Sequence, residues 1–193
     1  MKLEELDEKI KKCTACELSK TRTTVVPGEG NPKAQIMFIG EGPGKNEDLQ
    51  GRPFVGAAGK FLDQLLRQIN LKREDVYIAN VVKCRPPNNR DPKPEEAAAC
   101  WPWLESQIKT IKPKIIIPLG RHSLQRFIPE AGISQYHGRA LRKNFPNLGG
   151  KLVFFPCYHP AAALYNGSLR GTLEEDFKKI PKVIELIKER KGA

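Results

Sequence analysis

Four short apolar runs, separated by segments of helical periodicity, constrain the fold of this chain more than any other feature. The runs are rich in branched and aromatic side chains, as buried parallel strands are. They cover residues 34–40, 75–82, 114–120 and 151–159. In the segments that we predict to be helices, apolar residues recur three or four positions apart. These segments are residues 57–70, 93–111, 121–128 and 172–190.

The alternation of strands and helices predicts the fold class and the number of domains. It is the pattern of an α/β protein, here a three-layer α/β/α sandwich with a central four-stranded parallel sheet. The chain has 193 residues, a length that suits one domain, so we expect residues 1–193 to form a single domain.

An unusual loop follows each apolar run. The four loops contain GEGPG at 40–44, NVVKCRPPNNR at 80–90, GRH at 120–122 and YHPAAALYNG at 158–167. Open α/β sheets bind ligands beyond the carboxyl ends of their strands, where these four loops would meet. Ordinary surface turns would explain one or two such loops, but not four at one edge. We therefore predict a common functional site there.

The charge of the chain indicates its class of partner. The formal net charge is +11, and the basic residues are spread along the sequence, which favours polyanions as partners. No apolar stretch approaches the roughly 20 residues of a membrane span, and the first residues lack a signal-peptide core. We expect a cytoplasmic protein with no membrane association. High charge, many prolines and few methionines favour a thermophilic source.

Four of the five cysteines form a spaced series. Cys13 and Cys16 make a C-x2-C pair, which Cys84 and Cys100 follow much later. Disulfides are not expected in a basic cytoplasmic protein, whereas a C-x2-C pair suits a metal or a cluster. Zinc and a 4Fe-4S cluster both remain compatible with this spacing, and four unrelated buried cysteines are a third alternative. Cys157 lies within an apolar run and is expected to be a small core residue.

These motifs, taken in order, resemble one enzyme family. GEGPG, PFVGAAG, NVVKCRPPNNRDP and HPA, with the four spaced cysteines, are similar to the family-4 uracil-DNA glycosylases, and the likeness runs from Cys13 to about Asn166. It implies a 4Fe-4S cluster on Cys13, Cys16, Cys84 and Cys100 that ties the N-terminal segment to the domain. It also implies a monofunctional hydrolase of uracil N-glycosyl bonds that starts base-excision repair.

The resemblance also implies partners. The substrate would be uracil-containing DNA, single or double stranded. We expect a monomer that associates with the nucleoid, and replication or repair proteins are further candidate partners.

The resemblance assigns catalysis to two residues. Glu41 would lie near the sugar and orient water or stabilise positive charge, while His159 would donate a hydrogen bond to the departing uracil. Gly40 and Gly42 would let the backbone approach the flipped nucleotide. Other branches of the superfamily carry an aspartate where this chain has Gly42, so the water-activating residue stays open.

Three further residues would recognise uracil by the same resemblance. Phe54 would stack on the base, Asn80 would read its polar edge, and Glu47 would crowd its 5-position and exclude thymine. The alternatives are a core phenylalanine, a turn asparagine and a solvated carboxylate. Asp48 adjoins Glu47 and is a candidate for either of the carboxylate roles.

DNA contacts are expected from the basic loops. Arg85, Asn89 and Arg90 are the candidates beside the site, and Leu164 or Tyr165 would fill the gap left by the flipped base. His122 and His137 are expected to be structural or to face phosphate. The further phosphate candidates are Lys83, Arg139, Arg142, Lys143 and Arg170.

Two other functions compete with excision. A non-catalytic or covalently trapping uracil-DNA-binding protein would share most of these motifs, but a related branch of that kind carries an inserted loop and lacks the cysteine found here as Cys84. An iron-sulfur redox or assembly protein would use the cysteines and leave Asn80 and the HPA motif unexplained. An assay for uracil release distinguishes all three.

Overall fold

A computed structural model describes residues 2–189 of the chain and shows an α/β protein with one mixed sheet. The strands are β1 (Glu29–Gly30), β2 (Ile36–Gly40), β3 (Tyr77–Asn80), β4 (Ile115–Pro118), β5 (Leu141–Phe145) and β6 (Gly150–Phe154). Their order across the sheet is β1-β3-β2-β4-β6-β5. The inner four strands run parallel, and β1 and β5 pair antiparallel to β3 and β6.

The α/β prediction is confirmed, but the expected four-stranded parallel sheet is wrong in strand number. The four apolar runs supply β2, β3, β4 and β6. The two edge strands carry no apolar run: β1 is only two residues long, and β5 (LRKNF) is largely exposed. Edge strands with charged side chains resist pairing with other chains, which is why their sequence does not look like a core strand.

Eight α-helices surround the sheet within residues 2–189. They are α1 (Leu3–Lys11), α2 (Lys45–Gln50), α3 (Ala57–Gln68), α4 (Pro94–Ile111), α5 (Arg121–Phe127), α6 (Ile133–Tyr136), α7 (Pro160–Tyr165) and α8 (Ser168–Glu189). The four predicted helices are α3, α4, α5 and α8, although the predicted end of the last at residue 190 lies outside the described residues. Helices α1, α2, α6 and α7 were not predicted.

Alternate side chains of the strands build the three layers. In β2, Met37 and Ile39 face a core shared with α1, α4 and α5, while Ile36 and Phe38 face a core shared with α3, α7 and α8. This alternation follows from the period of two in a strand, and it buries the sheet on both faces. The three-layer sandwich is therefore confirmed.

The loops predicted to meet do lie together. Gly40 pairs with Asn80 at the carboxyl ends of β2 and β3, and Leu119, just after β4, donates its N–H to the carbonyl of Ile39. After β6, the backbone of Cys157 forms an isolated parallel β-bridge with Leu119 before α7 begins. Within residues 2–189, no helix has both the length and the apolar character needed to cross a membrane.

Candidate active site and cysteine site

A pocket of about 330 Å³ opens at this edge of the sheet. Six predicted site residues line it together. They come from the segment after β2, from the end of β3 and from the start of α7, and they are Glu41, Gly42, Glu47, Phe54, Asn80 and His159. Asn89 and Arg90 line its rim. The pocket is therefore assembled from the loops that the sequence analysis placed at one edge. We call it the uracil pocket because of the base it is proposed to hold.

Asn80 has an unsatisfied amide oxygen in the wall of this pocket. Its side chain is only 2% exposed, and its Oδ1 has no hydrogen-bond partner among residues 2–189. A buried polar atom without a partner costs roughly 1 to 3 kcal/mol, so native proteins seldom keep one without a reason. A ligand N–H donor in the pocket would satisfy this atom.

Gly40 and Gly42 are needed for close packing around the pocket. A Cβ at Gly40 would collide with Asn80 Oδ1 and would lie 2.8 Å from the Phe54 ring. A Cβ at Gly42 would lie 2.8 Å from Cγ2 of Val82. An aspartate at position 42 would therefore require the Val82 side chain, or the backbone that carries it, to shift.

Phe54 occupies a strained backbone conformation. Its φ is +52°, in the left-handed region that such residues rarely adopt. Arg73 holds the turn, because its guanidinium donates to the carbonyls of Pro53 (2.5 Å) and Phe54 (3.1 Å) and pairs with Glu29 and Asp63. The conformation brings the Phe54 ring to 5.4 Å from the His159 ring, with 29° between the planes.

His159 lines the pocket and is held as a neutral imidazole with its proton on Nε2. Its Nδ1 accepts the backbone N–H of Ala161 at 3.1 Å, so the proton of the neutral ring lies on Nε2. Burial lowers the pKa of His159 to about 4, although the Glu47 carboxylate opposes this. The side chain is therefore a neutral hydrogen-bond donor at physiological pH.

The neighbouring carboxylates of Glu47 and Asp48 have different roles. Glu47 lines the pocket, but its Oε1 accepts the N–H groups of Val55 (2.8 Å) and Gly56 (2.9 Å) and so fixes the loop that carries Phe54. Asp48 is buried and accepts the N–H groups of Thr23 and Thr24. Asp48 therefore anchors the segment after Cys16 and does not share a role in the pocket.

Glu41 lies beside two residues that were not predicted for the site. The Nε2 of His122 is 3.9 Å from a Glu41 oxygen and 3.0 Å from an Asp91 oxygen. This nitrogen and the carboxylate oxygens of Glu41 and Asp91 all lie within 4.8 Å of one another, as the ligands of a metal ion could. A guanidinium nitrogen of Arg121 lies 3.1 Å from the same His122 nitrogen. The positive charge of Arg121 therefore already faces the cluster of Glu41, Asp91 and His122. Burial raises the pKa of the Glu41 carboxyl, His122 opposes the rise, and Asp91 adds to it.

The structure separates the basic candidates for DNA contact. Arg85 and Asn89 are bonded to each other at the rim, with 2.7 Å between Nε and Oδ1. Arg90 forms a bidentate ion pair with Glu96, whose side chain is 3% exposed, so its charge is already neutralised. Lys83 is fully buried, so its prediction as a phosphate contact is wrong.

The remaining candidates differ in exposure. Leu164 and Tyr165, at the end of α7, are 48% and 93% exposed, which leaves both free to meet DNA. Arg139, Arg142 and Lys143 are exposed, whereas Arg170 stacks on Phe61 and pairs with Glu174. His137 is structural: its Nδ1 lies 2.6 Å from buried Asp176.

The four spaced cysteines line a second cavity, the cysteine site. Cys13 and Cys16 follow α1, Cys84 follows β3, and Cys100 lies in α4. Three of the sulfurs accept N–H hydrogen bonds, from Trp103 to Cys13 (3.2 Å), from Arg22 to Cys84 (3.1 Å) and from the backbone of Lys83 to Cys100 (3.3 Å). Cys157 lies in the core on the other face of the sheet, as predicted.

The cysteine site fits a metal centre held by sulfur alone. Burial raises the pKa of Cys100 to about 11 and also raises that of Cys84, so the bare thiols would stay protonated. Metal ions bind thiolates and displace these protons. N–H donors and the charges of Arg22 and Lys83 around the sulfurs would stabilise the resulting negative charge.

Three residues of functional interest escaped the sequence analysis. Arg73 supports Phe54 from 19 residues away, and Asp91 and His122 meet Glu41 from separate loops. Arg73 and Asp91 look like ordinary surface residues in sequence. His122 lies in the GRH loop, which was predicted to reach this edge, but it was expected to be structural or to face phosphate.

Comparison with known proteins defines the class of the molecule. The sequence profile described as the uracil DNA glycosylase superfamily matches residues 27–184, which include the whole sheet and the pocket. The "Type-4 uracil-DNA glycosylase" of Sulfurisphaera tokodaii is 53% identical over 184 residues, which cover 92% of this chain and 83% of that protein.

Two further relatives place the chain within the superfamily. The "Type-4 uracil-DNA glycosylase" of Thermotoga maritima is 49% identical over 187 residues, 95% of each chain. The "Type-5 uracil-DNA glycosylase" of Thermus thermophilus is only 32% identical over 142 residues, 65% of this chain and 64% of that protein. The chain therefore belongs to the uracil DNA glycosylase superfamily and, within it, to the type-4 uracil-DNA glycosylases. The sources of the type-4 relatives agree with the expected thermophilic origin.

Proposed function

We propose that the protein removes uracil from DNA by hydrolysing the N-glycosidic bond and leaves an abasic site for base-excision repair. The observation that carries this proposal is the unpartnered Oδ1 of Asn80 in the pocket wall. Uracil presents an N3–H donor between two carbonyl acceptors. The oxygen of one amide can accept from N3–H while its nitrogen donates to O4, so Asn80 matches this edge. Cytosine lacks the N3–H and fits less well.

The pocket also suits an extruded base. The target bond is inaccessible inside a duplex, so the nucleotide must leave the stack. The Phe54 ring offers a face for the base, and such a stack contributes roughly 1 to 3 kcal/mol. We propose that Glu47 forms the wall next to the 5-position of the base and excludes thymine. Its carboxylate is held there by the backbone N–H groups of Val55 and Gly56.

Bond breakage places opposite charges on the two fragments. The C1′–N1 bond breaks, its electron pair stays with N1 of uracil, and positive charge develops on the sugar. His159 donates its Nε2–H to the uracil oxygen on which negative charge accumulates. Glu41 stabilises the sugar cation and accepts a proton from the water whose oxygen bonds to C1′. Its carboxylate is the group in the pocket best suited to this role.

We further propose that the cysteine site holds a 4Fe-4S cluster. The likeness to the type-4 enzymes supports this choice over zinc, which the same four sulfurs would also suit. When bound, the cluster supplies a cross-link between α1, the loop after β3 and α4. Glycosidic hydrolysis transfers no electrons, so this brace is the role we assign to it. A purified sample should be brown and contain about four irons per chain.

The basic surface and the exposed end of α7 would bind the DNA. Arg85, Asn89, Arg142 and Lys143 are the residues that we propose contact the backbone, and Leu164 or Tyr165 fills the vacated stack. We propose that a monomer, a single domain over residues 1–193, acts on single-stranded and double-stranded DNA. Association with the nucleoid and with replication or repair proteins belongs to this proposal as well.

An assay of base release tests the proposal. Wild-type protein is incubated with an oligonucleotide that contains one deoxyuridine, and free uracil, abasic sites and covalent adducts are measured. We expect free uracil with an equal amount of abasic DNA. A stable adduct without free uracil would indicate a trapping protein, and binding without either product would indicate a non-catalytic binder. Asn80→Asp is the matched variant, because its acceptor-only side chain should lose uracil release about a hundredfold and favour cytosine.

A further inference from the structure

Lys83 is a buried charged residue to which the proposed chemistry in the uracil pocket assigns no role. It lies between Asn80 of the uracil pocket and Cys84 of the cysteine site, and its side chain is 1% exposed. A lysine is almost never buried to this degree unless its charge is compensated. Its position between the two sites therefore calls for an explanation.

Lys83 contacts both sites directly. Its Nζ donates to the backbone carbonyl of Asn80 at 2.8 Å and to Oε1 of Gln107 at 2.7 Å, and both partners are acceptors, as an ammonium group requires. Its backbone N–H donates to the sulfur of Cys100 at 3.3 Å. One residue thus fixes the uracil-reading strand end and a cysteine of the cluster site.

Groups that carry or would gain negative charge surround this ammonium. The carboxylate of Asp7 on α1 attracts it, and the sulfurs of Cys84 and Cys100 would do so once a metal centre displaces their protons. The Oδ1 of Asp7 is buried and has no hydrogen-bond partner within residues 2–189, so its charge is balanced chiefly by Lys83. A cluster held by four thiolates carries net negative charge, and Lys83 stands where a counter-cation is needed.

We propose that Lys83 is a positioning residue that couples the cysteine site to uracil recognition. Its ammonium balances the negative charge of the ligated cluster, and the same group holds the Asn80 carbonyl so that the Asn80 amide faces the base. This inference rests on the proposed function of the pocket. It assigns the cluster a second effect beyond bracing the N-terminal segment.

The test compares two charge-removing variants of the full-length, cluster-loaded protein. Lys83→Met keeps most of the length of the side chain without its charge, and Asp7→Asn removes the opposing charge. A nearby positive charge favours the more negative, reduced cluster. We therefore expect Lys83→Met to lower the reduction potential of the cluster and Asp7→Asn to raise it, with iron content near that of the wild type. The exposed Lys33→Met variant is the control and should leave the potential unchanged.

The affinity for free uracil measures the effect of Lys83 on the uracil pocket. Lys83→Met should weaken uracil binding about tenfold, because the strand end loses its anchor, while Asp7→Asn and Lys33→Met should bind as the wild type does. If Lys83→Met does not fold, an unchanged potential in Asp7→Asn is sufficient to overturn the proposal. A purely structural Lys83 would change stability alone, with no shift in potential and no loss of uracil affinity. A wild-type protein that neither binds uracil nor releases it would overturn the proposed function, and the coupling with it.

Discussion

The uracil pocket and the cysteine site are built from neighbouring residues but leave their polar atoms in opposite conditions. In the pocket, Asn80 Oδ1 has no partner within residues 2–189, and His159, which lines the same pocket, carries its proton on Nε2. In the cysteine site, three of the four sulfurs already accept N–H groups. The unsatisfied polar atoms of the pocket can be satisfied by a ligand that binds and leaves. The hydrogen-bonded sulfurs of the cysteine site suit a permanently bound metal centre.

The backbone shows the same difference. The pocket contains Phe54 in a left-handed conformation, supported by Arg73 from a separate loop. The cysteine site lies beside two regular elements, because α1 ends before Cys13 and Cys100 is inside α4. Strain of about 1 to 3 kcal/mol is kept where it shapes a site for chemistry. Variants should therefore affect catalysis in one region and stability in the other.

The largest expected effect is on the chemical step in the pocket. His159→Ala removes a donor that acts on charge formed only as the bond breaks, so single-turnover excision should slow by roughly 10² to 10³ with DNA affinity nearly unchanged. His159→Gln keeps an N–H donor and should lose less. A defect confined to DNA binding would show that His159 is not the leaving-group donor.

The cysteine site should respond in stability. Cys13→Ser should lose iron and lower the Tm by at least about 5 °C, since about 1 kcal/mol shifts a domain of this size by roughly 2 to 4 °C. The fraction that stays folded should excise uracil within about tenfold of the wild-type rate, because no cysteine lines the uracil pocket. Calorimetry and single-turnover assays on the same sample measure both. Full iron content in Cys13→Ser would exclude this cysteine as a ligand.

The pH dependence of excision should come from Glu41 and not from His159. Because burial raises the pKa of Glu41, the carboxylate protonates at a higher pH than usual, and the rate should fall as pH drops through that value. The pKa of His159 is about 4, so His159 stays neutral and contributes no step from about pH 5 to about pH 9. Glu41→Gln should be slower and lose the acid limb. An acid limb that persists in Glu41→Gln would assign it to another group.

The smallest expected effect separates two arginines at the rim. Arg85→Ala should reduce the slope of log affinity against log salt by about 0.9 on duplex DNA. The guanidinium that is lost has the neutral Asn89 amide as its partner, so its charge is available to phosphate. Arg90→Ala should leave the slope nearly unchanged, since Glu96 already neutralises that charge. It should instead lower stability, because the buried Glu96 would lose its ion-pair partner and keep only the backbone N–H of Lys93. Equal slope changes in the two variants would show that Arg85 and Arg90 do not differ in their contact with phosphate.

The sequence predicted the regular core and the set of pocket residues well, for a physical reason. Buried strands such as IMFIG and IIIP must be apolar, so they are visible as runs. Strand β5 and the short helix α2 are exposed and held by tertiary contacts, which leaves no periodic signal. Local pattern therefore identified the inner sheet and missed its edges.

The charged residues were harder to predict because their partners are distant in sequence. Arg90 and Lys83 both lie in the basic loop after β3, yet one is paired with Glu96 and the other is buried against Asn80 and Gln107. Composition gives the charge of a loop but not the direction of each side chain. The resemblance identified which residues meet in the pocket, and the packing revealed which of them are free to act.

The most direct measurement of the central claim is a crystal structure of the protein with uracil bound. We predict that uracil lies on the Phe54 ring, that Asn80 Oδ1 accepts from N3–H, and that His159 Nε2 donates to the adjacent carbonyl oxygen, with each donor and acceptor about 3 Å apart. The cysteine site should be unchanged by the ligand. Uracil bound outside this pocket, or an Asn80 oxygen still without a partner in the complex, would contradict the account.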